Sequence, residues 1–150
     1  MKLSGDRAAR FVRRPDPQVV AALIHGPDPG QVAVHRRELV AAVTEGDPMR
    51  LTRMDPDAVR RDAAELADTL RARAFFPGRR AVLVEGVTGA LADALAMAME
   101  GLLPEDAMLI ATGTGLTAKS ALVKLFEGAG DRAVLAFYPD SRPDPTALLA

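Results

Sequence analysis

The sequence predicts an α/β fold in which a five-stranded parallel sheet is flanked by helices. Short apolar runs alternate with longer amphipathic stretches, and Gly, Pro and Asp mark the junctions between them. Most of the apolar runs are continuous, which suits strands covered on both faces and joined by right-handed helical crossovers. With 150 residues, 49% hydrophobic and 26% charged, the chain is long and apolar enough for one domain with a substantial core.

Residues 1–18 are basic, end in Pro15-Asp16-Pro17 and read as an N-terminal arm. Val19-Val20-Ala21-Ala22-Leu23-Ile24-His25 is a first strand, closed by the loop Gly26-Pro27-Asp28-Pro29-Gly30. Asp28 is placed to cap a helix whose first residue is Pro29, and Val32, Leu39, Val40 and Val43 recur at helical spacing up to Gly46. Met49–Met54 alternates apolar and polar residues, the pattern of an edge or half-covered strand. Asp55-Pro56-Asp57 starts another helix, with Val59, Ala63, Leu66, Ala67 and Leu70 as its stripe, and this delivers the chain to Phe75-Phe76-Pro77-Gly78. Arg80–Gly86 is a third strand, Leu91–Leu102 a helix and Met108–Thr112 a fourth strand. Thr117 is placed to cap a helix through Phe126, Ala133–Tyr138 is a fifth strand, and residues 139–145 form a proline-rich exit. The globular unit therefore spans residues 19–140, with 141–150 as the start of a linker.

The balance of 19 basic and 20 acidic residues, net charge −1, provides no overall field toward nucleic acid or membrane. Sixteen of the basic residues are Arg, several in pairs such as Arg13-Arg14 and Arg79-Arg80, which leaves room for a local patch. There is no Cys, so disulfides, thiol catalysis and thiolate metal sites are excluded. Met1–Arg14 lacks the continuous apolar core of a signal peptide, and no apolar run approaches the roughly 20 residues of a membrane span. A cytoplasmic location is the expectation.

The first strand–loop–helix sits where phosphate loops occur, because a helix N-terminus offers free N–H groups and a positive dipole end. A P-loop needs Gly, four residues, then Gly-Lys-Ser/Thr, so that the Lys reaches the β- and γ-phosphates and the hydroxyl holds Mg²⁺. Here Gly30 arrives one position early and both the Lys and the hydroxyl are missing. The two prolines remove donors and Asp28 adds a negative charge. The pattern is that of an NTPase fold with a degenerate nucleotide loop at Gly26, Pro27, Asp28, Pro29 and Gly30, and no bound cofactor is expected. Glu85, at a strand end, occupies the place of a metal-associated acid but reads more simply as a surface or capping carboxylate. Thr112, at the next strand end, is equally explained by β-propensity. His25 and His35 lack metal-ligand spacing, and no Ser lies in a Gly-x-Ser-x-Gly setting, so neither a metal site nor a catalytic residue is predicted.

Phe75 and Phe76 are two of only five Phe in a chain with 4% aromatics. Neighbouring side chains at a helix end point about 100° apart, so both cannot share one apolar stripe. They read either as core residues capping the next strand or as a protruding wedge for a partner's pocket.

Taken in order, the apolar strand ending in Gly26-Pro27-Asp28, Arg36-Arg37-Glu38-Leu39, the helix running into Phe75-Phe76-Pro77-Gly78-Arg79-Arg80-Ala81-Val82, and Leu116–Glu127 resemble the N-terminal domain of the delta subunit of the bacterial DNA polymerase III clamp loader, over about residues 15–140. The resemblance implies an AAA+-like fold with a degenerate nucleotide site. It also implies that Phe75 and Phe76, supported by Leu70, Pro77 and nearby Arg residues, form a wedge that enters a pocket on the sliding clamp (beta) and helps open the ring. ATP would then be hydrolysed by other subunits, so the chain is not an enzyme by itself but part of a DNA polymerase holoenzyme. The implied partners are the clamp, the gamma/tau and delta prime subunits, and DNA through the assembled complex, with no membrane. Members of that family continue into lid and collar domains, so a chain ending at Ala150 is expected to be an excised or truncated piece. The rival readings are an active small P-loop enzyme, opposed by the missing Gly-Lys-Ser/Thr, and a regulatory Rossmann-like or receiver domain, opposed by Glu85-Gly86 where a phospho-acceptor Asp would stand.

Overall fold

The computed structural model describes residues 1–73 and 77–138. Among the described residues six strands form one parallel sheet: β1 (Lys2–Ser4), β2 (Ala21–His25), β3 (Leu51–Met54), β4 (Ala81–Glu85), β5 (Met108–Gly113) and β6 (Arg132–Ala136). Their spatial order is β1-β6-β2-β5-β4-β3. Six α-helices among the described residues connect them: α1 (Gly5–Arg13), α2 (Pro29–Thr44), α3 (Pro56–Arg61), α4 (Ala63–Arg71), α5 (Ala92–Met99) and α6 (Ala121–Glu127).

The two-residue period of a strand divides each apolar run between two cores. Leu23, Val82, Val84, Leu109, Ala111 and Val134 pack beneath α3, α4, α5 and α6. Ile24, Leu83, Ile110 and Leu135 point the other way, under α1 and α2. Register is held strand to strand, with Leu23 opposite Ala111 on one side and Val134 on the other. Because β2 and β5 are central and covered on both faces, every residue of each is buried, which is why their sequences read as unbroken apolar runs.

Five expectations change. The sheet has six strands rather than five, and the segment expected as an arm is strand β1 followed by helix α1. Three residues are too few for a sequence pattern; β1 exists because β6 offers an open edge, where Val134 N–H donates to the Met1 carbonyl at 2.8 Å. The N-terminal ammonium then donates to the Arg132 carbonyl at 2.9 Å. α1 buries Ala8, Phe11 and Val12, an i, i+3, i+4 stripe diluted in the sequence by the surrounding arginines.

The single helix expected after Pro56 is broken at Asp62, whose N–H closes α3 on the Ala58 carbonyl while its carboxylate caps α4 through Glu65 N–H. The helix expected over 91–102 ends at Met99, because Gly101 takes a φ of +72° that stops helical propagation. The helix expected from Thr117 starts after Ser120, since Thr117 N–H bonds the Ser120 hydroxyl in a preceding turn. No helix among the described residues is long and apolar enough to cross a membrane.

Candidate functional site

In an open parallel sheet, ligands bind beyond the carboxyl ends of the strands where successive connections leave on opposite faces. That point here lies above β2 and β5, because β2 feeds α2 on one face and β5 leads to α6 on the other. The loop Gly26–Gly30 stands at this point.

The chain fills the loop with its own atoms. Gly26 lies so close to the strand exit that a Cβ on it would meet the Phe137 carbonyl oxygen at 2.0 Å. Phe137 N–H donates to the His25 carbonyl at 2.9 Å, and its ring stacks on His35 at 3.7 Å between centroids. At the start of α2, Pro29 contributes no N–H, the Asp28 carboxylate accepts from Gly30 N–H at 2.9 Å, and the Asp28 carbonyl accepts from Val32 N–H at 3.0 Å. The position a phosphate takes at a helix N-terminus is thus held by an intramolecular carboxylate of the same charge sign. These residues do not fit a nucleotide triphosphate.

Glu85, at the end of β4, is bound by two arginines: Arg36 of α2 donates to one carboxylate oxygen at 2.9 Å and Arg53 of β3 to the other at 2.6 Å. It ties α2 to the sheet edge as a structural ion-pair node. Thr112 is buried and its carbonyl accepts from Val87 N–H at 2.8 Å, holding the loop after β4. His25 is 1% exposed, has an unpartnered Nδ1 and meets Tyr138 edge to face. Burial, and then the charge of Lys2, push its pKa down. His35 lies 3.1 Å from Glu38 on the same helix, away from any second ligand. Among the described residues no group of three or more His, Asp or Glu could hold a metal ion.

The second location is the chain between α4 and β4, at the amino ends of the strands and so at the end of the sheet opposite the Gly26 loop. Phe75 and Phe76 lie outside the described residues. Leu70 is fully buried in the core beneath α4, so it is not part of a contact surface. A carbonyl at the last turn of a helix has no intrahelical partner, and arginines supply the partners here. Arg80 donates to the carbonyls of Thr69 and Leu70 at 3.2 Å each and also to that of Ala72. Arg71 reaches across to the Ala98 carbonyl at 3.0 Å, tying α4 to α5. Arg79 donates to the Val19 carbonyl at 2.7 Å, and burial lowers its pKa against the opposing charge of Asp16.

Pro77 and Gly78 are exposed, and Gly78 takes a φ of +106°, a backbone conformation that favours glycine, with the flexible Arg50 guanidinium beside it. On one side of residues 74–76 the chain is held at the Ala72 carbonyl by Arg80, and on the other at Arg79 by its bond to the Val19 carbonyl. The arginines that do this were legible only as a basic pair after a helix; their carbonyl partners are set by the tertiary fold. A cleft of about 530 Å³ opens beside them, lined in part by Arg71, Arg73, Arg80 and Glu105.

Comparison with protein-family models finds no match, and comparison with curated proteins finds none. Among solved structures, the crystal structure of a DNA polymerase III gamma subunit-related protein from Thermotoga maritima is similar in fold, with a TM-score of 0.60 and 19% identity. The match covers 89% of this chain and 45% of that one, so the chain spans less than half the length of the protein it matches. The fold is thus the parallel α/β class with flanking helices expected from the sequence, with one more strand among the described residues.

Proposed function

We propose that this chain is the partner-docking domain of a clamp-loader subunit of the delta type. In this reading it binds the sliding clamp of DNA polymerase III through Phe75 and Phe76 and assists ring opening in the cytoplasm, alongside gamma/tau and delta prime subunits, while ATP is hydrolysed by other subunits of the loader. The observation that carries the reading is the occupied loop: a domain with the fold of a gamma subunit-related protein has Asp28 and the Phe137 carbonyl where a nucleotide would be held. Such a domain retains value as a rigid platform for contacts. The hold of Arg80 on the carbonyls at the end of α4 supports the wedge reading, since fixed backbone beside a docking segment lowers the entropy lost on binding. A ligand that prefers the open ring shifts the ring toward that state by its differential affinity.

Calorimetry of the domain with the cognate clamp tests this. Burying two Phe side chains contributes about 3–6 kcal/mol, so Phe75→Ala/Phe76→Ala is expected to weaken binding about 10²–10⁴-fold with an unchanged melting temperature. Absence of binding by the folded wild type, or ATP binding in the same buffer, would overturn the reading.

A further inference from the structure

Charge along the chain is asymmetric. Residues 1–14 hold five basic side chains and a single acid, Asp6, although the whole chain has net charge −1. Helix α1 sorts these by function: Ala8, Phe11 and Val12 enter the core, while Arg7, Arg10, Arg13 and Arg14 are exposed. Arg13 is engaged by Glu38 of α2 at 3.4 Å. Arg7, Arg10 and Arg14 have no ion-pair partner among the described residues, and they line one cleft of about 220 Å³ with Asp16 as its sole acid. The Asp16 carboxylate is turned to Gln18 N–H at 2.9 Å.

We propose that Arg7, Arg10 and Arg14 form a docking surface for the phosphate backbone of a nucleic-acid duplex. Guanidinium groups present paired donors that match phosphate oxygens, and all three cations here are Arg. Arg7 and Arg10 lie three residues apart on α1 and Arg14 caps its C-terminus four residues further, steps of about 5–6 Å, comparable to the spacing of successive backbone phosphates, so one strand presents charge at similar intervals. An anionic membrane offers the same phosphate chemistry, but three cations alone are attracted to it only weakly, and firmer binding adds apolar side chains that enter the interface. Those of α1 are already buried in the protein. The surface itself is independent of the clamp-loader reading; the choice of a duplex as the phosphate source rests on it.

The test is fluorescence anisotropy of the domain with a labelled 20-base-pair duplex of mixed sequence, at 50 to 200 mM salt. Two or three phosphate contacts predict a loss of affinity of roughly 12- to 40-fold over that range. Arg7→Ala/Arg10→Ala/Arg14→Ala is expected to weaken binding at least tenfold at 50 mM salt and to keep its fold, since Ala is at least as good a helix former. Arg60→Ala/Arg61→Ala, which removes exposed charge from α3, is expected to change it less than twofold. Equal losses in the two variants would overturn the patch. So would binding to poly-glutamate or to phosphatidylserine vesicles without binding to the duplex, by assigning the cations to an acidic protein or a membrane. The α1 variant should keep its affinity for the clamp, and Phe75→Ala/Phe76→Ala should keep its affinity for the duplex, so failure of one proposal is distinguishable from failure of the other.

Discussion

Gly26→Ala tests the closure of the degenerate loop most directly. The added Cβ falls 2.0 Å from the Phe137 carbonyl oxygen, about 1 Å short of the 3.0 Å below which real Cβ contacts essentially do not occur. The obstacle is backbone on both sides, so no rotamer change relieves it. Separating the two segments stretches the Phe137 N–H to His25 carbonyl bond, now 2.9 Å, and displaces the ring stacked on His35. Loss of that hydrogen bond costs about 0.5–1.5 kcal/mol and overpacking about 1–3 kcal/mol, which together give about 2–4 kcal/mol. For a domain of this size the melting temperature should fall by about 4–16 °C, measured by circular dichroism with urea unfolding in parallel. Gly115→Ala is the control, because its Cβ meets nothing within 4 Å, and it should stay within about 0.5 kcal/mol of wild type. A Gly26→Ala protein as stable as the control would show that the loop is not sealed by the β6 exit, and it would reopen the nucleotide reading of residues 26–30.

Two further outcomes follow from buried residues. Leu70→Ala removes a side chain with no exposed area and should cost about 2–5 kcal/mol in urea unfolding. Its effect on partner binding should vanish at temperatures where the variant is folded, whereas direct contact of Leu70 with a partner would leave the binding defect in place. His25 has a folded-state pKa lowered by burial, so the unfolded chain takes up a proton first as the pH drops below its ordinary value of about 6.5. Stability should therefore fall as the pH is lowered from about 7 through 6.5 toward 5, and the fall should be shallower in His25→Phe, which keeps an aromatic ring against Tyr138. Parallel urea midpoints for the two proteins across that range would refute the sign.

The candidate site divides along the same line as the fold. Asp28 before Pro29 and Asp55 before Pro56 were readable as helix starts, and both carboxylates do accept the expected N–H bonds. The missing Lys and hydroxyl after Gly30 were visible without coordinates. What closes the loop was not, because Phe137 lies 111 residues from Gly26 and nothing local in either segment encodes their approach. Leu70 fitted both a helix stripe and the margin of a wedge, and only the packing of α4 against the sheet put it in the core. Glu85 looked like an isolated strand-end acid until Arg36 and Arg53, 49 and 32 residues away, converged on it.

By itself the sequence determined the parallel α/β class, the positions of the continuous apolar strands and the loss of the phosphate-loop residues, since each depends on side-chain period or residue identity over a few neighbouring positions. The tertiary structure alone decided that residues 2–4 are a strand, that the loop is sealed by the β6 exit, and which arginines cap the α4 carbonyls and which are left to face solvent. Those outcomes depend on open edges and unpaired backbone groups brought together from distant parts of the chain, and no local pattern records them.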